Sequence, residues 1–309
     1  MTVLIVGAGR AGLRHLSGLS EDAHVVDVRP EAQADAAAVA ERVGIRMTFG
    51  TSLADAPRAE TAILATTAGG RLEQLELLAE RGVRDVLLEK PLEQSRARVR
   101  RLAQIAGPRA FVHLHRRSNP SYRALRDAGG PFRLVVTGGA FGLACNGIHY
   151  LDLALFLSRS AGRLVFAELE ELPIGSGRGT GLRDYGGRGL YAFDDGTRLY
   201  LESWAASGAP ELATVVQAGA ASVHDGFSGL WYERPAGTPA PAYRYGAGWT
   251  RAEQPGFETL RGGETTRAWL DALRAGGEPL LPTVAEALPA HELLFDLLET
   301  SGDAEFAIA

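Results

Sequence analysis

Residues 3–12 read Val-Leu-Ile-Val-Gly-Ala-Gly-Arg-Ala-Gly, and no other stretch restricts the fold as strongly. Val3-Leu4-Ile5-Val6 is a continuous apolar run, the pattern of a strand buried on both faces. Amphipathic spacing over residues 11–19 predicts a helix directly after it. The glycines therefore occupy a strand-to-helix turn with G-x-G-x-x-G spacing. Gly7 permits the tight turn, Gly9 lets the backbone approach a pyrophosphate, and Gly12 lets helix and strand pack closely. Arg10 and Ala11 complete the turn, where free N–H groups at the helix start hold an anion. Dinucleotide binding is the reading preferred over S-adenosylmethionine binding or a purely structural turn.

A second strand is expected over residues 24–28, with Asp27 near its end. A carboxylate there accepts hydrogen bonds from the adenosine ribose and repels a 2′-phosphate, which favours NAD. Arg29 beside it could hold that phosphate, so NADP stays possible. Helices are expected over 31–43, 72–81 and 95–105, and strands over 62–66, 83–88 and 110–114. This alternation predicts a doubly wound parallel sheet. Thr66 and Thr67 fall in a small-residue loop at a strand's carboxyl end, beside the expected cofactor.

Lys90 is the only lysine; the other 31 basic residues are arginines. A proton donor of adjustable pKa can be Lys and cannot be Arg. Lys90 follows the apolar run Val86-Leu87-Leu88 and Glu89, and precedes Pro91. That places it at the carboxyl end of a buried strand, where open α/β sheets bind ligands.

Beyond Arg117 the pattern changes to consecutive β runs over 132–137, 164–169, 190–193, 197–204 and 213–218. Asp194-Asp195-Gly196 reads as a hairpin turn, and the sheet as mostly antiparallel. The glycine-rich segment 174–189, with Arg178, Arg183 and Arg188, reads as a loop over the site or a plain surface loop. Residues 235–241 read as another loop, and helices are expected over 259–273 and 284–298. Between these β runs, Asn146 reads as the N-cap of a helix reaching residue 157, with His149 in its first turn and Asp152 on the same face. The helix dipole would lower the His149 pKa and keep the imidazole neutral, suited to proton transfer. No metal site is expected: His113 and His115 alternate along a strand, and no His/Cys/Glu spacing matches a metal site.

A net charge of −5 offers no basic field for nucleic acid, and Arg96, Arg98, Arg100 and Arg101 read as a solvated helix face. No apolar run approaches the roughly 18 residues that would span a bilayer. The start of the chain has no secretory pattern, and a single cysteine fits a reducing compartment, so a cytoplasmic protein is expected.

The glycine fingerprint, Glu89-Lys90-Pro91, Arg117 with Asn119-Pro120, Gly147-x-His149-x-x-Asp152 and the 276–286 turn into the last helix together resemble the Gfo/Idh/MocA oxidoreductases. The resemblance implies an α/β protein with an N-terminal Rossmann doubly wound parallel sheet over 1–117. A C-terminal α+β domain with an open, mostly antiparallel sheet follows over 118–282, and residues 283–309 return to the first domain. It implies hydride transfer between NAD or NADP and a hydroxyl or carbonyl of a sugar- or cyclitol-like substrate. It also implies a homodimer or homotetramer joined through the open sheet face. Lys90 and His149 take the catalytic positions. The glycine turn, Asp27, Arg29, Thr66, Thr67, Glu89 and Lys90 face the cofactor, and Arg117, Cys145, Asn146, Lys90 and His149 face the substrate. One departure stands out: many members carry aspartate where this chain has Cys145, read here as a packing residue. The alternatives are a non-catalytic dinucleotide-binding regulator and a reductase of an imine-type intermediate.

Overall fold

The computed structural model describes residues 2–170, 174–175, 181–209, 211–217, 222–225, 230–233, 250–251 and 262–308, with backbone alone for 222–225, 230–233, 250–251 and 262. The expectations for Arg178 and the 235–241 loop lie outside these residues.

The first third alternates strand and helix: β1 (Val3–Val6), α1 (Arg10–Leu16), β2 (Ala23–Val26), α2 (Ala32–Val43), β3 (Met47–Gly50), β4 (Thr61–Leu64), α3 (Arg71–Glu80), β5 (Asp85–Leu88), α4 (Arg96–Ile105) and β6 (Ala110–Val112). The six strands form one parallel sheet in the order β3-β2-β1-β4-β5-β6. Every residue of β1, β2, β4 and β5 is buried, as helices on both faces require. Chain order reverses between β1 and β4, so their carboxyl ends open a crevice. β3 was not expected: Met47-Thr48-Phe49-Gly50 is a half-exposed edge strand without an apolar run.

The rest comprises α5 (Pro120–Ala128), β7 (Phe132–Gly138), α6 (Gly147–Ser158), β8 (Gly162–Leu169), β9 (Ile174–Gly175), β10 (Arg183–Asp184), β11 (Gly187–Phe193), β12 (Arg198–Ser203), β13 (Leu212–Gln217), β14 (Ser222–Asp225), β15 (Leu230–Glu233), β16 (Thr250–Arg251), α7 (Gly262–Arg274) and α8 (Val284–Leu298). Eight strands form a sheet in the order β16-β15-β14-β13-β7-β12-β11-β8, antiparallel except at β7–β12. β7 sends Phe132, Leu134 and Val136 inward under α6 and leaves Val135 outside. α6 is buried almost all round, as its nearly continuous apolar sequence requires.

Part of the expected glycine-rich loop is strand: β9 and β10 pair, and β11 begins at Gly187. Arg188 lies on the outer sheet face, with Nη2 donating to Glu168 at 2.6 Å, so it is a cross-strand partner.

α7 lies against α1, with the backbones at Gly18 and Gly263 too close to admit a Cβ. α8 packs on both α4 and α6 and starts with a Thr283/Glu286 capping box. The α4 arginines are a solvated face only in part: Arg100 and Arg101 are mostly exposed, whereas Arg96 and Arg98 are not. Arg96 donates to Glu292 (2.5 Å), Asp296 (2.8 Å) and Glu299 (2.9 Å), and Arg100 to Glu292 (2.6 Å), sewing α4 to α8. Arg98 spans Glu73 and Glu93.

Candidate active site

The cofactor crevice begins at Gly7, where φ is +98° and the Gly7 N–H donates to the Val26 carbonyl at 2.7 Å. A Cβ on Gly12 would stand 1.8 Å from the Gly7 oxygen, whereas a Cβ on Gly9 would meet nothing within 4 Å. Gly12 thus serves helix–strand contact, and Gly9 leaves open space where a pyrophosphate would approach. Arg10 is exposed beside it and Ala11 half-buried. Asp27 follows β2 and accepts from the Ala8 N–H at 2.7 Å, which ties the carboxylate to the glycine turn. Arg29 grips the same carboxylate through Nε (3.0 Å) and Nη2 (3.1 Å). Burial pushes the Asp27 carboxyl up, but the bonds from Arg29 and Ala8 outweigh it and hold the group below its ordinary value. Thr66 and Thr67 follow β4, with the Thr66 backbone against Gly7. Arg71, overlooked in the sequence, is a buried clamp: its guanidinium donates to the carbonyls of Glu89 (2.6 Å), Thr66 and Pro91.

β5 ends at Leu88 and delivers Glu89 and Lys90 into the interior. Lys90 is 5% exposed, and its ammonium donates to the carbonyl of Cys145, at the foot of α6. The Glu89 carboxylate does not reach out of the crevice. Its Oε1 accepts from His15 Nε2 at 3.1 Å and His113 Nδ1 at 2.9 Å, while His15 Nδ1 meets the Thr266 hydroxyl at 2.7 Å. Burial pushes the Glu89 carboxyl up, but His113 and His15 overcome this and keep it well below the usual range. Glu89, His15 and His113 are the set of acidic and imidazole groups, among the described residues, whose donor atoms converge within 4.8 Å as a cation would need. At 2.9–3.1 Å their separations are those of hydrogen bonds.

A row of imidazoles continues toward α6. His113 and His115 do not lie on opposite faces of a strand: β6 stops at Val112, His115 starts a short 3-10 turn, and the two rings lie 5.2 Å apart. His115 lies 4.8 Å from His149, edge to face. His149 Nδ1, His115 Nδ1 and His113 Nε2 are buried without hydrogen-bond partners, so the row presents vacant polar positions to a ligand. Burial first, and then the charge of Lys90, holds His149 well below the ordinary imidazole value, so it is neutral. The sequence had the direction right, but burial rather than the helix dipole is the main cause.

Asn146 stands at the N-cap position without capping through its side chain; Nδ2 donates to the Phe141 carbonyl at 2.5 Å. The Arg117 guanidinium is committed to Asp152, with Nε at 2.9 Å, and lies over Phe156. Its neighbour Arg116, not singled out from the sequence, lies over the Tyr150 ring at 4.0 Å and pairs with Glu211 at 2.5 Å. Cys145 is buried, and its thiol bonds to Asp184. The arrangement brings a neutral imidazole on α6 and an ammonium from the end of β5 into one buried cluster.

The Gfo/Idh/MocA family model, described as an oxidoreductase family with an NAD-binding Rossmann fold, matches residues 1–111. No curated protein sequence matches the chain. Among solved structures, GenD2 from gentamicin A biosynthesis, in complex with NAD, shares 23% identity over 98% of this chain and 94% of its own, with a TM-score of 0.71. UDP-N-acetylglucosamine 3-dehydrogenase GnnA from Acidithiobacillus ferrooxidans shares 18% over 96% of each chain, with a TM-score of 0.71. Myo-inositol dehydrogenase from Lactobacillus casei, in complex with NAD(H) and myo-inositol, shares 16% over 99% of this chain and 95% of its own, with a TM-score of 0.66. At these identities the likenesses carry the fold. Residues 1–111 thus match the model of an NAD-binding Rossmann oxidoreductase family, and over its whole length the chain shares the fold of these solved structures.

Proposed function

We propose that the protein is an NAD-dependent dehydrogenase or reductase acting at a hydroxyl or carbonyl of a sugar- or cyclitol-like substrate. The observation that carries this reading is the meeting of Lys90, from the Rossmann sheet, with the foot of the helix that bears His149. When bound, the nicotinamide accepts or returns the hydride. Gly7, Gly9, Arg10, Ala11, Gly12, Asp27, Arg29, Thr66 and Thr67 would hold the dinucleotide. In oxidation the Lys90 ammonium hydrogen-bonds the reacting oxygen, and neutral His149 takes the hydroxyl proton as the C–H hydride leaves. In reduction the proton returns from imidazolium to the new alkoxide. Burial supports the assignment, because a neutral imidazole is a base without first losing a proton. His115 stands beside His149, with ring centroids 4.8 Å apart, and Cys145 and Asn146 lie just ahead of the helix that carries it.

The test is NAD reduction followed at 340 nm with myo-inositol, simple aldoses and UDP-N-acetylglucosamine. Turnover of none of them, with NADH still bound, would shift the reading toward a regulator or an imine reductase.

Residues 1–117 are read as the dinucleotide domain, 118–282 as the substrate domain and 283–309 as the returning segment, although α7 packs on the first of these. A homodimer or homotetramer through the open face of the eight-stranded sheet is supported by a lateral row, Thr214, Val135, Tyr200, Leu190 and Phe166, in register across five strands. Val135 and Phe166 are 43% and 45% exposed. Sedimentation of a Val135→Asp variant should give a smaller species than the wild type; equal sedimentation would reject this face. No helix among the described residues is long and apolar enough to cross a membrane. The solitary cysteine supports a cytoplasmic location.

A further inference from the structure

We infer that Asp184 is a positioning residue of the catalytic centre, fixing the turn at 142–146 from which both Lys90 and His149 take their places. This inference rests on Lys90 and His149 being the proton-handling pair proposed above.

The Asp184 carboxylate is buried and accepts from the N–H groups of Ala144 (2.9 Å), Cys145 (3.1 Å) and Tyr185 (2.8 Å), and from the Cys145 thiol. Burial lifts the carboxyl above the ordinary aspartate value, and these four donors oppose the lift. An ionised carboxylate offers about four acceptor sites; the turn fills three of them and the Tyr185 N–H the fourth. The loop is shaped around it. Gly142 has φ +82°, and a Cβ there would stand 1.9 Å from Asp184 Oδ2. The Gly142 carbonyl accepts from Asn146 (3.0 Å) and Gly147 (3.1 Å), which starts α6.

Two catalytic placements leave this turn. The Cys145 carbonyl receives the Lys90 ammonium, and His149 sits four residues further on in the first turn of α6. Asp184 is in turn anchored to the other domain. Arg183 N–H donates to the Ala307 carbonyl at 2.7 Å, and Phe306 N–H donates to the Gln94 carbonyl at 2.8 Å, four residues past Lys90. The contacts close a ring: Lys90, the Cys145 carbonyl, the turn, Asp184, the chain's last described residues, Gln94 and Lys90 again. A carboxylate at residue 184 can organise this ring because its acceptors face four donors. An amide of the same shape turns an NH2 group against those donors.

The single lysine makes the test direct. Protein grown with lysine labelled at ¹³Cε shows one lysine resonance, that of Lys90. Asp184→Asn should move this resonance toward the position of free lysine and broaden it, with NADH affinity within about twofold of wild type. On any substrate the panel yields, kcat should fall roughly 10- to 100-fold, the cost of a small misplacement of reacting groups. Placing the change in a Lys90→Met background should add little further loss, whereas a merely structural effect would add in full. An unchanged Lys90 resonance in Asp184→Asn overturns the inference. Should that variant fail to fold, amide exchange on the wild type decides: the Ala144 and Cys145 amides should exchange as slowly as those of α6, and fast exchange refutes the clamp. Failure of the catalytic reading is separable, because it would appear as turnover surviving Lys90→Met, whatever the resonance does.

Discussion

Asp27→Asn should largely abolish the discrimination between NADH and NADPH. In the wild type the Ala8 N–H at 2.7 Å ties the carboxylate to the glycine turn, where the reading proposed above puts the adenosine ribose. Hydrogen bonds to a charged acceptor contribute about 1.5–3 kcal/mol each when their loss leaves groups unpaired. A 2′-phosphate about 5 Å away would be disfavoured by about 3 kcal/mol per charge at an effective dielectric near 20. Arg29 offsets part of this, but its guanidinium is 55% exposed and already bound to Asp27. The net expectation is a preference for NADH of about 100-fold, or about 2.7 kcal/mol. Asparagine keeps an acceptor for Ala8 and the side-chain shape, removes the repulsion and frees the Arg29 fork for phosphate. The NADH:NADPH affinity ratio should therefore fall about 100-fold. Fluorescence titration of both cofactors against both proteins, at neutral pH and fixed salt, measures it. A ratio unchanged within about twofold would refute the placement of Asp27 at the ribose. Because the folded carboxyl lies below its ordinary value, the wild-type preference should persist as pH falls into the usual aspartate range and fade only beneath it.

Lys90→Met and His149→Ala should each lower turnover by about 10²–10⁴-fold while NADH titrations stay unchanged; activity surviving either change would remove that residue from the mechanism. Gly9→Ala and Gly12→Ala should separate binding from folding. The first adds a methyl into open space and should weaken NADH without lowering the melting temperature, whereas the second drives a methyl into the Gly7 carbonyl and should cost about 1–3 kcal/mol of stability. In acid, His291 should be a measurable weak point. Burial holds it at about 4, so its neutral form is favoured on folding; stability is unaffected above the unfolded value and falls as pH drops from there toward 4. The loss should reach about 2 kcal/mol by about pH 5 in urea unfolding, and His291→Gln should flatten that slope.

What could be read from the sequence was what is local in it. The turn at Gly7, Gly9 and Gly12 lies within one strand–helix unit, and Lys90 stands next to its own strand, so spacing alone located both. The partners of Glu89 could not be found that way. His15 comes from α1, and His113 follows the end of β6, nearly 100 residues later, so no spacing in the sequence joins them. Asp184 lies 39 positions after Cys145, in a segment whose glycines suggested a loop. The α4 arginines looked solvated because Glu292 and Glu299, 196 and 203 residues from Arg96, could not be assigned to their side. β3 went unread because an edge strand needs no apolar run.

Lysine-poor composition also changes how this protein meets reagents. With the only ε-amine 5% exposed and held by the Cys145 carbonyl, acylating or aldehyde reagents find no lysine on the surface. They can reach Lys90 only through the crevice proposed to take cofactor and substrate. The rate of ε-amine acylation then becomes a clock for access to that crevice, read from one covalent adduct by mass spectrometry. NADH should slow that clock by occupying the crevice, and no engineered probe is needed to see it.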